Sequence, residues 1–424
     1  MTELPHSCEY RALCFGDHIL ICRRAMSSRV GNGRKYPRIE IGTSRCAISS
    51  RSIRASAGYL RRRHDMSAKI LVTAFALCFA FGTSALAQSH PPPKSVLTRV
   101  AFGSCANQEL PQPIWSSIRA YHPELFIFGG DNIYGNIRAG KRVEDDDKIL
   151  DAIASAYAEA SKIEEFQRFR KDIPHLAVWD DNDFGKNDGG ADFVHREASQ
   201  NLFLDFWQIS KDDPRRSRQG LFHAITIGPP GKRVQVILLD TRFFRSPLKP
   251  AEKQVSGRGR YVPDPTPEKT MLGDTQWAWL ADRLREPADL RLVVSSIQVL
   301  AQGHGYERWG NLPLELKRLK DLIKDTSAER VVLLSGDRHF GGIYRSSDQV
   351  PYPLYEMTSS GLTHSFLAAD EADDARLGPL YGGLNFGTVD IDWWAGSLTL
   401  SVRSPNGEPV RRQRIEFKEI SRAP

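Results

Sequence analysis

The chain is poor in cysteine, and its few cysteines are unevenly placed. Of the six among 424 residues, Cys8, Cys14, Cys22, Cys46 and Cys78 lie in the N-terminal part, and Cys105 stands alone in the rest. A framework of internal disulfides is therefore excluded for the body of the protein. Long apolar stretches are missing too. The run over residues 70–81 is too short to cross a bilayer comfortably, and no later run is longer. There is no internal repeat. A basic nucleic-acid footprint is also absent, although the formal net charge is +7. Residues 1–65 hold 13 Lys+Arg against 5 Asp+Glu, and Lys69 adds one more cation, which leaves residues 88–424 at about −2.

That uneven charge points to an export leader. Met66 and Lys69 precede the apolar run, and Ala85-Leu86-Ala87 follows it as a small-x-small cleavage pattern. Residues 66–87 thus read as a signal peptide, and the mature chain as periplasmic or secreted. An N-terminal membrane anchor is the alternative reading. Residues 1–65 are rich in Arg and Ser without sustained periodicity, as expected of an upstream extension before a start at Met66. Arg61-Arg62-Arg63 also leaves a twin-arginine export signal open. Residues 88–98, with Pro91-Pro92-Pro93, read as a linker, and 99–424 as one domain. Export would leave Cys105 as the only thiol, to be read either as a small buried hydrophobe or as a ligand.

In the body, short apolar runs are followed at once by polar residues. The runs at 124–128, 175–179, 234–239, 292–294 and 331–334 read as strands buried on both faces. Residues 98–102 read as an edge strand. Helical patterns lie between, at 151–170 with Ile153, Tyr157 and Phe166 as apolar points, at Trp277, Leu280 and Leu284, and at 314–323 after Pro313. This alternation indicates an α/β fold. Period-two alternation around Val389, Ile391, Leu398, Leu400 and Val402, with a turn at Asn406-Gly407, indicates a C-terminal antiparallel meander. Residues 246–272 read as a long loop, of the kind used as a lid or binding loop.

Function in such sheets gathers at strand C-terminal ends, and five strands ending in carboxylates or hydroxyls suggest one shared site. Four fragments carry the chemistry: Gly103-Ser104-Cys105, Gly130-Asp131-Asn132-Ile133-Tyr134, Trp179-Asp180-Asp181-Asn182-Asp183 and Ser335-Gly336-Asp337-Arg338-His339. An Asp and a Tyr three apart in a turn can meet one cation, and ferric iron suits a phenolate. Singly, Tyr134 reads as a packing aromatic and His339 as a hydrogen-bonded core residue. Taken together and in this order, the four fragments make a site.

The same order resembles the alkaline phosphatase D (PhoD-like) family of metallophosphoesterases, which is related to the purple acid phosphatases. Further agreement comes from Asn187-Asp188-Gly189-Gly190, from Asp240-Thr241-Arg242, from Gly305-Tyr306-Glu307-Arg308-Trp309-Gly310 and from Thr358-Ser359-Ser360-Gly361-Leu362-Thr363-His364. The resemblance runs from about Arg99 to at least His364. It implies a four-layer α/β/β/α sandwich of two mixed sheets flanked by helices. It also implies hydrolysis of phosphomonoesters or phosphodiesters by a metal-activated hydroxide. Asp131 would bridge two metals, with Cys105, Tyr134 and His339 completing an Fe³⁺ site. Asp181 and Asp337 would serve a second, harder site for Ca²⁺, with Mg²⁺, Mn²⁺ or Zn²⁺ as alternatives. His304 and Gln298 are the candidates for a second imidazole or amide, and Arg242, Arg245 or Arg338 for holding phosphoryl oxygens. A monomer acting on a small phosphate ester or a phospholipid is expected.

One departure stands out. The family's third fragment usually carries His where this chain has Asn182, and Asn cannot exchange a proton near neutral pH. The expectation is a site that binds metal but protonates leaving groups poorly. The alternative is a metal- and phosphate-binding homologue with weakened catalysis.

Overall fold

The computed structural model describes residues 91–253, 259–367 and 371–422, together with a small pairing of Cys14–Phe15 with His18–Ile19. The expected leader and extension otherwise lie outside the described residues. Two six-stranded sheets form the body. The first has β1 (Arg99–Gly103), β2 (Leu125–Gly129) and β3 (His175–Val178) running parallel, all buried except Arg99. On the other side of β1 come β10 (Phe386–Asp392), β11 (Ser397–Arg403) and β12 (Pro409–Glu416), an antiparallel meander. The strand read as an edge is therefore interior. The C-terminal meander returns to cover it, with Val389 paired to Val100.

The second sheet holds β5 (Val234–Leu238), β6 (Leu290–Ser295), β7 (Val331–Ser335) and β9 (Leu354–Ser359) in parallel, closed by antiparallel β4 (His223–Ile227) and β8 (Gly341–Ser346). Helices α1 (Ile114–Tyr121), α2 (Asp146–Ala160), α3 (Glu164–Asp172), α4 (Asp181–Phe184), α5 (Arg196–Phe206), α6 (Gly273–Arg285) and α7 (Pro313–Asp325) complete the mixed α/β sandwich. None of the described helices is long and apolar enough to cross a membrane.

The segment 151–170 is two helices, not one. Ile153 and Tyr157 share a face, but nine residues of α-helix carry Phe166 to the opposite side. All three are buried, so the chain breaks after Ala160 and restarts at Glu164. Among the described residues of 246–272, Lys249–Pro250 pairs with Tyr261–Val262 and Gly259 bridges to Gly305. The segment read as a linker lies against the body. Leu97 is fully buried, and Pro93 accepts a hydrogen bond from the Gly228 amide at 2.7 Å.

Aromatic packing anchors the first sheet. Trp115 of α1 lies 4.8 Å from Phe169, 5.2 Å from Phe166 and 5.8 Å from Phe128, ring centre to centre. This cluster fixes α1 and α3 against β2, the strand that leads into Asp131. Trp115→Ala should lower unfolding stability by ~3–5 kcal/mol, the range for truncating a buried aromatic. A drop below 1 kcal/mol in denaturant titration would contradict this packing role.

Candidate metal centre

The parallel strands of both sheets point their C-terminal ends at one seam. The expected fragments arrive there with a common geometry. Cys105, Asp131 and Asp337 each lie two residues past the end of a strand, β1, β2 and β7 respectively. All three have left-handed backbone, at φ 67°, 51° and 67°, and His339 has φ 54°. Side chains rarely accept this conformation, and each such residue costs on the order of 1–3 kcal/mol. Gly130 precedes Asp131 at φ 113°, and a Cβ there would stand 2.6 Å from Asp180 Cβ. The turn at 130–131 thus lets β2 pass directly under the third fragment. Backbone bonds stitch the sheets together at this point: the Leu362 amide donates to Ser104 O and the Thr363 amide to Cys105 O, each at 3.2 Å.

Cys105, Asp131 and His339 place ligand atoms within 4.8 Å of one another. Cys105 Sγ is 3.5 Å from Asp131 Oδ2, and Tyr134 OH is 3.4 Å from the same oxygen. Tyr134 OH is also 3.1 Å from His339 Nε2. These are the four residues expected at the first metal. A second group, Asp131, Asp180 and Asp181, shares Asp131 with the first. A third joins Asp181, Asp188 and Glu307. Asp337 stands outside these three groups, although its charge is felt at Asp131.

Asn182 faces these carboxylates. Its Nδ2 donates to Asp131 Oδ2 at 2.8 Å and to Asp181 Oδ1 at 2.9 Å, and its backbone amide donates to Asp131 Oδ1 at 3.1 Å. The side chain therefore positions two carboxylates, which differs from the leaving-group role expected of this position. Arg242 differs as well. It is fully buried, with Nε on Asp180 Oδ1 at 2.5 Å and its fork on Glu307 at 2.9 and 2.7 Å. Both arms of that fork are spent on a carboxylate, so Arg242 balances charge where it was expected to grip phosphoryl oxygens. Arg245 donates to Glu307 and to the carbonyls of Asp188 and Gly189, and Arg338 pairs with Glu371. His304 is likewise committed, with Nε2 3.0 Å from Gln298 Oε1 and Nδ1 accepting from the Tyr306 amide. Gln298 in turn donates to Thr358 Oγ1 at 2.8 Å.

Asp240 also ends a strand, but it is structural. It accepts from Trp179 Nε1 and from the amides of Leu221, Arg242 and Phe243. The residues that sequence reasoning left without a role are Asp180, Asp188, Glu307 and His364. Asp180 adjoins Asp181 in the third fragment, and the other three sit in fragments that carried the resemblance. Tyr261, from the long loop, reaches in and donates to Asp188 Oδ2 at 2.6 Å.

Burial first, then the charges of Asp181 and Asp180, push the Asp131 carboxyl well above the carboxylate range. Burial raises Asp337 in the same way. It pushes Asp181 up to about 6, Asp188 to about 7 and Asp183 to about 8. The Cys105 thiol and Tyr134 phenol are raised well above their ordinary values, chiefly by burial. Burial also opposes the charge of Glu307, yet Arg242 and Arg245 hold its carboxyl below the ordinary value. The cluster therefore carries more acid groups than its arginines neutralise. Asp180 Oδ2 is buried with no hydrogen-bond partner, an acceptor a cation would satisfy.

The two-sheet sandwich is similar to solved structures. That of PhoD aligns at a TM-score of 0.60 and 16% identity, over 77% of this chain and 70% of that one. GAP50, the anchor in the inner membrane complex of Plasmodium, aligns at 0.49 and 13% identity, over 76% of this chain and 89% of its own. Purple acid phosphatase PPD1 from yellow lupin seeds aligns at 0.48 and 10% identity, over 78% of this chain and 56% of its own. No curated protein sequence matches. The PhoD-like phosphatase profile matches residues 100–376, and the chain belongs to that family of phosphoester hydrolases.

The raised carboxyls give a pH signature for the metal-free protein. Acids whose folded pKa is raised bind protons more tightly when folded, so their contribution is fully present at low pH and is lost as pH rises through about 6 to 8. After exhaustive chelation, Tm should fall between pH 5 and pH 8. A Tm that rises over this interval would contradict the charge imbalance.

Proposed function

We propose that the chain hydrolyses phosphate esters at two cation sites that share Asp131. The observation that carries this reading is the position of the Asp131 carboxylate, which belongs to two of the close donor groups. Cys105, Asp131, Tyr134 and His339 would hold the first cation. A thiolate, a phenolate and an imidazole suit Fe³⁺. Asp131, Asp180 and Asp181, with Asp337 nearby, form an oxygen-only set suited to Ca²⁺, with Mg²⁺, Mn²⁺ or Zn²⁺ as alternatives. When bound, two such cations supply Lewis acidity toward the phosphoryl oxygens and a nucleophilic water.

The protein's own part is alignment and charge balance. Asn182 holds Asp131 and Asp181 in one orientation through its amide. Arg242, buried between Asp180 and Glu307, offsets the charge of both and helps hold Glu307 below its ordinary value, while burial still raises Asp180. His304 orders the loop after β6 through Gln298 and Tyr306. The substrate is a phosphomonoester or phosphodiester, either a small molecule or a phospholipid. Phe366 and Leu367 support an apolar substituent: they are 56% and 87% exposed, and the Phe366 ring lies 4.9 Å from that of His339. The near-neutral body disfavours nucleic acid. The mature chain is an exported monomer in this reading.

A specific observation favours a weakened catalyst as the second reading. Asn182 occupies the place of the family's usual His, and its donors are spent on carboxylates. The test is hydrolysis of aryl and alkyl phosphates by wild type and Asn182→His, with cations removed by chelation and then returned. Activity should follow the cations. N182H should raise kcat on the alkyl ester, with a ceiling at the ~10²–10⁴-fold that a general acid supplies. Cation-independent activity would refute the metal reading, and no gain from N182H would refute the missing proton donor.

A further inference from the structure

We propose that His364 is a ligand of the first cation, supplying the second imidazole that His304 does not. The inference rests on the metal-centre reading above. Tyr134 OH, His339 Nε2 and His364 Nε2 form a nearly equilateral triangle, with sides of 3.1, 3.0 and 3.1 Å. Hydrogen bonds alone serve such a triangle badly. Each neutral imidazole has one N–H and each phenol one O–H, and none can point along two sides at once. A cation can. Ligands at right angles around a centre with bonds of ~2.1 Å stand √2 times that apart, roughly 3.0 Å. The three sides match the edge of one face of such a coordination shell.

The surroundings of His364 leave Nε2 available for that role. The Thr363 hydroxyl donates to Cys105 O at 3.0 Å and accepts from the Asn107 amide at 2.9 Å. With its single proton spent on Cys105 O, its remaining lone pair faces His364 Nδ1 at 3.0 Å. Nδ1 then carries the ring proton, and Nε2 presents a bare lone pair toward Tyr134 and His339. An N–H held by an outer acceptor is how proteins commonly orient a ligating imidazole. Placement is firm as well. Thr363 is tied by its backbone amide to Cys105 O, so the segment carrying His364 is anchored to the loop carrying the thiol ligand. His364 approaches from the side of Tyr134 and His339, and its partial exposure puts it at the open mouth of the site.

The test uses the full-length purified chain loaded with Fe³⁺, read by chelator competition and by the visible phenolate-to-iron band. Tyr134→Phe should abolish the band. His364→Ala should bind Fe³⁺ at least ~10-fold more weakly and shift the band, and added free imidazole should reverse both changes. His364→Gln, which keeps the bulk of the side chain, guards against misfolding and should behave like H364A. Wild-type affinity and an unshifted band in both variants would overturn the proposal while leaving the metal centre standing. Wild-type protein that fails to bind Fe³⁺ would overturn the metal-centre reading, and this proposal with it.

Discussion

The site turns on an imbalance of buried charge. Asp131, Asp180, Asp181 and Glu307 lie together with little solvent, and the guanidinium groups of Arg242 and Arg245 meet only part of that charge. Like carboxylates in a desolvated space raise one another's pKa, which is what burial and proximity do to Asp131. Such a cluster has two ways to relax: it can hold protons, or it can hold cations. The ligand types decide between them. A thiol, a phenol and an imidazole beside the shared carboxylate form a set that protons alone would leave poorly arranged, whereas one cation can organise all of them.

The fold is arranged to bring these groups together in spite of the repulsion. The parallel strands of two mixed sheets end at one seam, and main-chain bonds between the loops after β1 and β9 lock that seam. Left-handed backbone recurs just past the strand ends, at Cys105, Asp131, Asp337 and His339. Side chains around the seam fix its geometry. Asp240 gathers four donors, Arg242 bridges two acids, and Asn182 braces two more. Much of the polar machinery on the seam therefore fixes the geometry of neighbouring side chains.

How much of this could be read from the sequence follows from physical signal strength. Strands β2, β3, β5, β6 and β7 were legible because burial on both faces leaves uninterrupted apolar runs. Strand β4 was not, because four of its five residues are only partly buried. Strand β8 opens with Gly341-Gly342, which reads as a turn, yet a Cβ on Gly341 would meet Val402 Cγ1 at 2.3 Å. The fragments carrying Cys105, Asp131, Tyr134, Asp181 and His339 were visible as short motifs after strands. The commitments of Arg242, His304 and Asn182 were not, because they depend on Glu307, Gln298 and Asp131, whose nearness arises only when the two sheets meet. His364 lies 230 residues from Tyr134 in sequence, and no local pattern could pair them.

The central claim is that one carboxylate, Asp131, organises two cation sites. Elemental analysis of the purified chain and of Asp131→Asn, with folding of both checked by circular dichroism, tests it most directly. The account predicts two bound metal ions per wild-type chain and loss of both in the folded variant. A folded D131N that keeps its full complement, or a wild-type chain that carries none when loaded with metal, would contradict it.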